Sequence, residues 1–191
     1  DVNEIVQIAN LKGLKTTIKI GGCEAKTDLF TCRRMNIDNI VAPMIESEFA
    51  VTKFAEALSE THACATDNNR FYINIESIAA VKNAKGIIAT GKNFLNGVVV
   101  GRSDLCKSLG LTKEDTNSEV VLNHTINVLK IAKKHGLETT VGGNINASGL
   151  DFIKRLNSLK LIDRIETRSV VCKVDNRLLE RYQQFIDLAI E

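Results

Sequence analysis

Short apolar runs recur along the chain at roughly 30-residue intervals, each separated from the next by a stretch with helical periodicity, and no other feature narrows the fold as much. Residues 16–20, 39–42, 71–75, 95–100, 138–141 and 164–167 read as six strands. Helical spacing falls at 5–11, at 29–35 behind Asp28, at 47–59, 77–85 and 116–135, at 148–159 with Ser148 as its cap, and from 176 onward. Strands alternating with helices require right-handed crossovers and a parallel sheet, which sets the class as α/β. A (β/α)8 TIM barrel takes about 250 residues, so this length holds about six of its units. The expected architecture is therefore one (β/α) barrel domain over residues 1–191 that lacks its first βα units, because a helix pattern precedes the first strand. Missing strands or a partner chain are expected to cover the sheet edges beside 16–20 and 164–167. No linker and no close internal repeat beyond the βα rhythm is expected.

The ligand class follows from charge. The 25 basic and 23 acidic side chains leave a balance of +2, which points to neither nucleic acid nor a membrane surface. The longest apolar stretches fall far short of the ~20 residues that span a bilayer, and Asp1 and Glu4 do not open a signal peptide. Cys23, Cys32, Cys64, Cys106 and Cys172 form no C-x-x-C pair, so zinc and a disulfide framework are not expected, and free thiols fit the cytoplasm. A small molecule is the expected partner.

Ligands of parallel α/β sheets sit at the carboxyl ends of the strands. Glu24, Glu46, Glu76, Asp104 and Glu166 all fall at or just past such ends. Glu76 and Asp104 each follow a strongly apolar strand, and two carboxylates without a histidine make a hard oxygen site suited to Mg²⁺ or Mn²⁺. His62, His124 and His135 are read as structural or solvated. Gly142-Gly143-Asn144 before Ser148 suggests either a tight turn or a phosphate-binding loop.

The stretches FYINIESIAAVKN and GVVVGRSDLCKSLG carry a resemblance. An apolar strand ending in glutamate, then a G-x-x-D-L-x-x-S-L-G turn, resembles the metal-binding signature of the HpcH/HpaI aldolase/citrate lyase β-subunit family, which has pyruvate-type TIM barrels. The segments KIGGCEAKTD, IVAPMIES and IETRSVV are similar to other strand ends of that barrel. The resemblance implies Glu76 and Asp104 as metal ligands, Mg²⁺ or Mn²⁺ as cofactor, and a carbon–carbon lyase, an aldolase or citrate-lyase-like enzyme. The substrate would be a 2-keto acid or related carboxylate, cleaved through a metal-stabilised enolate. It also suggests a homo-oligomer.

Substrate contacts are expected from Lys19 and from Arg102, Ser103 and Asp104, whose backbone amides could hold a carboxylate. Two departures from the family pattern matter. Lys19 stands where many members carry a keto-acid-gripping arginine, and no histidine precedes His62 to serve as general base. Lys19, Glu24 and Glu46 are the catalytic candidates that remain. The alternatives are a non-catalytic or regulatory barrel that binds metal and carboxylate, and a phosphate-ligand barrel enzyme.

Overall fold

The structure is a computed structural model that describes residues 2–62 and 69–190. Cys64 lies outside the described residues, and Cys23, Cys32, Cys106 and Cys172 are free thiols. The element order is α1 (Val2–Leu11), β1 (Thr17–Lys19), α2 (Lys26–Arg34), β2 (Asn39–Ala42), α3 (Glu48–His62), β3 (Arg70–Ile75) and α4 (Ile78–Gly91). It continues with β4 (Gly97–Gly101), α5 (Arg102–Ser108), α6 (Glu119–Lys134), β5 (Glu138–Gly142), α7 (Leu150–Ser158), β6 (Arg164–Glu166), β7 (Val171–Lys173), α8 (Asn176–Glu180) and α9 (Tyr182–Ile190).

Local chemistry moved several helix ends from where periodicity put them. Ser77 caps α4, its Oγ accepting the Ala80 N–H at 3.1 Å. The expected helix 116–135 is divided, because a 3-10 turn at Lys113–Asn117 ends in extended Ser118, whose hydroxyl then caps α6. Ser148 is not a cap. It lies in the 3-10 turn Ala147–Gly149 and donates to Asn146 Oδ1 at 2.7 Å, and α7 begins at Leu150. Asp28 sits inside α2 and accepts the Gly21 N–H at 2.7 Å, which fixes the loop after β1.

Strands β1 to β6 pair in sequence order, all parallel, and β7 pairs antiparallel with β6. The closed (β/α)8 barrel is thus replaced, among the described residues, by a curled seven-stranded half-barrel. Thr17 of β1 and Val171 of β7 line the same hollow as Tyr72 and Val99 from mid-sheet, which shows how far the sheet curls. The edge at 164–167 is covered by the chain's own β7, not by a missing strand or a partner.

Alternation along each strand divides the core in two. Ile40, Ile73, Ile75, Val98, Val100, Val141 and Ile165 face outward into the main core with Leu29, Phe54, Ile87, Leu129 and Ile153 of the helices. Val41, Tyr72 and Val99 face inward as a separate small cluster. Below them Glu138 pairs with Arg70 at 2.9 Å and Arg164 at 3.0 Å and accepts the Tyr72 hydroxyl at 2.9 Å. Burial, reinforced by the Glu138 carboxylate, pushes the Tyr72 phenol up to about 12. These contacts fill the N-terminal end of the half-barrel.

One internal repeat is too short to stand out in the sequence. Gly13-Leu14-Lys15-Thr16-Thr17 and Gly136-Leu137-Glu138-Thr139-Thr140 lead into β1 and β5, each after a glycine at positive φ. Thr16 donates its N–H and hydroxyl to Asp38 Oδ2, and Thr139 donates the same pair to Asp163 Oδ2. Lys15 and Lys133 close the two clamps.

Candidate active site

The pairing register carries one level of the sheet across four strands. Ile75 faces Val100, Gly101 faces Gly142, and Val141 faces Ile165. Glu76, Gly101, Gly142 and Glu166 therefore stand side by side at the C-terminal ends of β3 to β6. The two glycines leave the room that the two acidic side chains use. A Cβ on Gly101 would lie 2.5 Å from Glu76 Oε2, and one on Gly142 would lie 3.5 Å from Glu166 Cβ and 3.7 Å from its Oε1.

Glu76 is only 3% exposed. Its Oε1 accepts the Met44 N–H at 2.9 Å and its Oε2 accepts Asn74 Nδ2 at 2.9 Å. Met44 holds that N–H in place from a left-handed backbone with φ of 51°, a conformation that costs about 1 kcal/mol or more outside glycine. Among the described residues no basic side chain forms an ion pair with Glu76. Asn74 Oδ1 is buried and has no hydrogen-bond donor among the described residues.

Asp104 lies in the first turn of α5, its side chain 47% exposed and paired with Lys107 Nζ at 2.9 Å. Lys19 ends β1 and is exposed. A groove of about 550 Å³ brings Lys19, Ser103, Asp104 and Glu166 together with Lys113 and Asn144. Burial raises the Glu166 carboxyl; the Lys19 ammonium lowers it and the Glu76 carboxylate raises it further. Glu166 was visible in the sequence as one strand-end acid among five, but nothing there singled it out.

The other expected site residues are placed differently. Arg102 is fully buried, with its guanidinium 4.6 Å from the Phe152 ring centroid. It donates to the carbonyls of Thr116, Gly142, Gly143 and Asn144 and to Asn117 Oδ1. The side chain is therefore committed to holding the loops around the groove, and burial lowers its pKa to about 10. Gly143 packs on the start of α5, where an added Cβ would meet the Ser103 N at 2.5 Å and the Arg102 N at 2.7 Å. This close packing gives the glycine pair a structural reason. Glu24 pairs with Lys53 of α3 at 3.2 Å, and Glu46 accepts the Ser77 hydroxyl beside the α4 cap. Neither lines the groove, and neither do His124 and His135.

The groove carries the acids Asp104 and Glu166 beside the bases Lys19, Lys113 and Arg168, and among the described residues no three His, Cys, Asp or Glu side chains are grouped as a ready metal cage. Two carboxylates suit a cation that keeps water and ligand oxygens in its remaining positions. The donorless Asn74 Oδ1, on the amide that holds Glu76, marks a buried acceptor left for a cation or its water. Glu76 is suited to a divalent cation on that ground.

Parallel strands joined by helices, with acids gathered at their carboxyl ends, define an enzyme scaffold of the α/β-barrel class. Within that class, the family model for HpcH/HpaI aldolase/citrate lyase matches residues 4–150, and the chain belongs to that family. No curated protein matches the sequence. The fold is similar to that of an HpcH/HpaI aldolase from Desulfitobacterium hafniense DCB-2, with a TM-score of 0.69 at 15% identity over 99% of this chain and 77% of that one. It is likewise similar to an HpcH/HpaI aldolase/citrate lyase family protein from Burkholderia cenocepacia J2315, with a TM-score of 0.69 at 14% identity over 100% and 80% of the two chains. Citrate synthase SbnG matches with a TM-score of 0.70 at 15% identity over 98% and 76%.

Proposed function

We propose that the chain is a divalent-metal-dependent carbon–carbon lyase that acts on a 2-keto acid or related carboxylate by way of an enolate. Family membership supports the lyase class. The observation that carries the finer reading is the buried, doubly hydrogen-bonded Glu76 carboxylate beside the Gly101–Asp104 turn. Glu76 and Asp104 hold Mg²⁺ or Mn²⁺ in this reading, and the ion supplies Lewis-acid stabilisation of the negative charge that develops on the substrate. Met44 N–H and Asn74 keep the Glu76 oxygens oriented before substrate arrives, so no reorganisation is needed at that point. Lys19 supplies a positive charge at the groove for the substrate carboxylate, without the bidentate fork of arginine. Ser103 and the amides that open α5 lie on the same wall. We place the enzyme in the cytoplasm as a homo-oligomer, with a keto acid or acyl carboxylate as its ligand.

Manganese calorimetry on the folded protein, with and without oxalate as an enolate mimic, tests this. Glu76→Gln and Asp104→Asn are each expected to weaken Mn²⁺ binding at least about tenfold, the scale of one lost charge-assisted contact. Oxalate is expected to tighten Mn²⁺ in the parent protein. Unchanged affinity in both variants removes the ligand assignment, and no Mn²⁺ binding by the folded parent removes the metal-lyase reading.

One observation favours a second reading, a barrel that binds metal and carboxylate without turnover. Glu24 and Glu46, the expected general bases, are engaged away from the groove. Cleavage of any 4-hydroxy-2-keto acid by the protein would exclude this alternative.

A further inference from the structure

The hairpin that joins β6 to the antiparallel β7 carries a base that the reading above leaves unused. Glu166 and Val171 pair across the two strands, and the turn between them is closed by hydrogen bonds. The Thr167 N–H donates to the Val170 carbonyl at 2.9 Å, and the Val170 N–H donates back to Thr167 Oγ1 at 3.0 Å. Arg168 follows Thr167 in this turn, so its backbone is held before any ligand arrives. Its side chain is exposed, and among the described residues it forms no ion pair.

The turn stands where two grooves meet. One is the groove of about 550 Å³ that holds Lys19, Ser103 and Asp104. The other, of about 430 Å³, runs along Thr17 and Val41 on the inner side of the sheet, and neither Ser103 nor Asp104 lines it. Lys19, Glu166 and residues 167–169 line both. A substrate whose keto-acid head lies by Lys19 and Asp104 therefore has room to continue past Glu166 into the second groove. Each groove alone has the ~300–1,000 Å³ of an ordinary small-molecule site, so together they take a ligand larger than a three-carbon keto acid.

The second groove is also unbalanced in charge. Its bases are Lys15, Lys19 and Arg168, and its one acid is Glu166. Lys15 is paired with Asp38 at 2.6 Å, and Lys19 serves the substrate head in the reading above. Arg168 is the base that remains.

We infer that Arg168 is a specificity-determining residue, which binds a second anionic group, a carboxylate or a phosphate, at the far end of the substrate. The inference rests on the keto-acid reading proposed above and narrows it, because a keto acid with a single charge leaves Arg168 without a partner. The planar guanidinium offers paired N–H donors that match either group in a bidentate contact. Ser169, next in the turn and lining both grooves, adds a hydroxyl beside it.

The experiment is calorimetric binding to the full chain, in buffer containing Mn²⁺, of three ligands that share one keto-acid head. They are 2-oxopentanoate, 2-oxoglutarate and 2-oxo-4-phosphonobutanoate, which end in a methyl, a carboxylate and a phosphonate group. At least one of the two dianions is expected to bind the parent at least about tenfold tighter than 2-oxopentanoate, the scale of one charge-assisted contact. The tighter of the two identifies the distal group. Arg168→Gln is expected to bring the dianions to within about twofold of 2-oxopentanoate while leaving 2-oxopentanoate itself unchanged. Arg168→Lys, which keeps the charge without the fork, is expected to retain a smaller preference, and circular dichroism confirms that both variants fold. A preference that survives in full in Arg168→Gln, or affinities for all three ligands reduced alike, overturns the inference. Equal binding of the three ligands by the parent overturns it alone and leaves the keto-acid reading standing, whereas a folded parent that binds none of them removes both.

Discussion

Gly101 and Glu76 are packed so closely that a single added methyl group on Gly101 would lie 2.5 Å from Glu76 Oε2 and 2.9 Å from Glu76 Cβ. The apolar strand β4 thus ends in glycine because the neighbouring strand places a buried acid there. Gly101→Ala is expected to destabilise the protein by about 1–3 kcal/mol, the usual cost of overpacking, and to displace the carboxylate. Urea unfolding measures the first effect. Mn²⁺ calorimetry measures the second, and full stability together with parent-like affinity would count against the packing account.

Arg102 holds five acceptors from two loops while stacked on Phe152. Lysine has neither the planar fork nor the ring stacking. Arg102→Lys is expected to cost on the order of 3 kcal/mol, since several buried carbonyls lose their donor at once. An unfolding midpoint equal to that of the parent would show that water replaces the guanidinium without penalty.

Glu166 makes stability depend on pH with a definite sign. Its folded pKa is raised by burial above the ordinary 4.5, partly offset by Lys19 and added to by Glu76, so the folded state binds the proton more tightly than the unfolded state does. Its contribution is full below the unfolded value and is lost as pH rises through the folded one. In chelator-treated buffer, Glu166→Gln is therefore expected to melt higher than the parent near neutral pH. That advantage should vanish in acid, and thermal melts across the range from about pH 4 to pH 8 provide the check.

The two aspartate clamps behave oppositely. Burial disfavours ionised Asp163, but hydrogen bonds from Lys133 and Thr139 and the Lys133 charge outweigh it and lower the pKa below 3.8. Its stabilisation is present above that value and is lost as pH falls through the folded pKa. Asp163→Asn should therefore cost stability at neutral pH and progressively less as pH falls below about 4. An equal deficit at both ends of the titration would show that the clamp works through shape alone.

The strands were legible because each is a run of β-branched and aromatic residues between turn signals, and Val98-Val99-Val100 reads as a buried strand without any fold in mind. Strand β7 was not, since Val171-Cys172-Lys173 is too short to display a period and pairs only because the turn at Thr167 reverses the chain. Asp104 and Glu76 were legible through the G-x-x-D-L turn and the strand that ends in glutamate. Glu24 and Glu46 stand out in the sequence only for their nearness to strand ends, and nearness does not say whether a side chain reaches the groove. Register does, and register is a relation between strands far apart in sequence. For the same reason Glu166 is singled out only by register, which sets Gly101 and Gly142 between it and Glu76. The Thr16 and Thr139 clamps are not legible in the sequence, because five residues are too few to mark a repeat and the aspartates that complete it lie elsewhere in the chain.

The direction of β7 restricts how this sheet can be extended. Strands β1 to β6 all run one way, and a helix can return the chain to lay another such strand alongside only where an edge is free. Beside β6 that place is taken by a strand running against it. Closing the curve with like-directed neighbours throughout would require Val171–Lys173 to peel away first, whereas β1, paired only with β2 among the described residues, accepts a parallel neighbour as it stands. The two ends of the sheet are therefore not equivalent, and three residues of reversed chain determine which of them can grow.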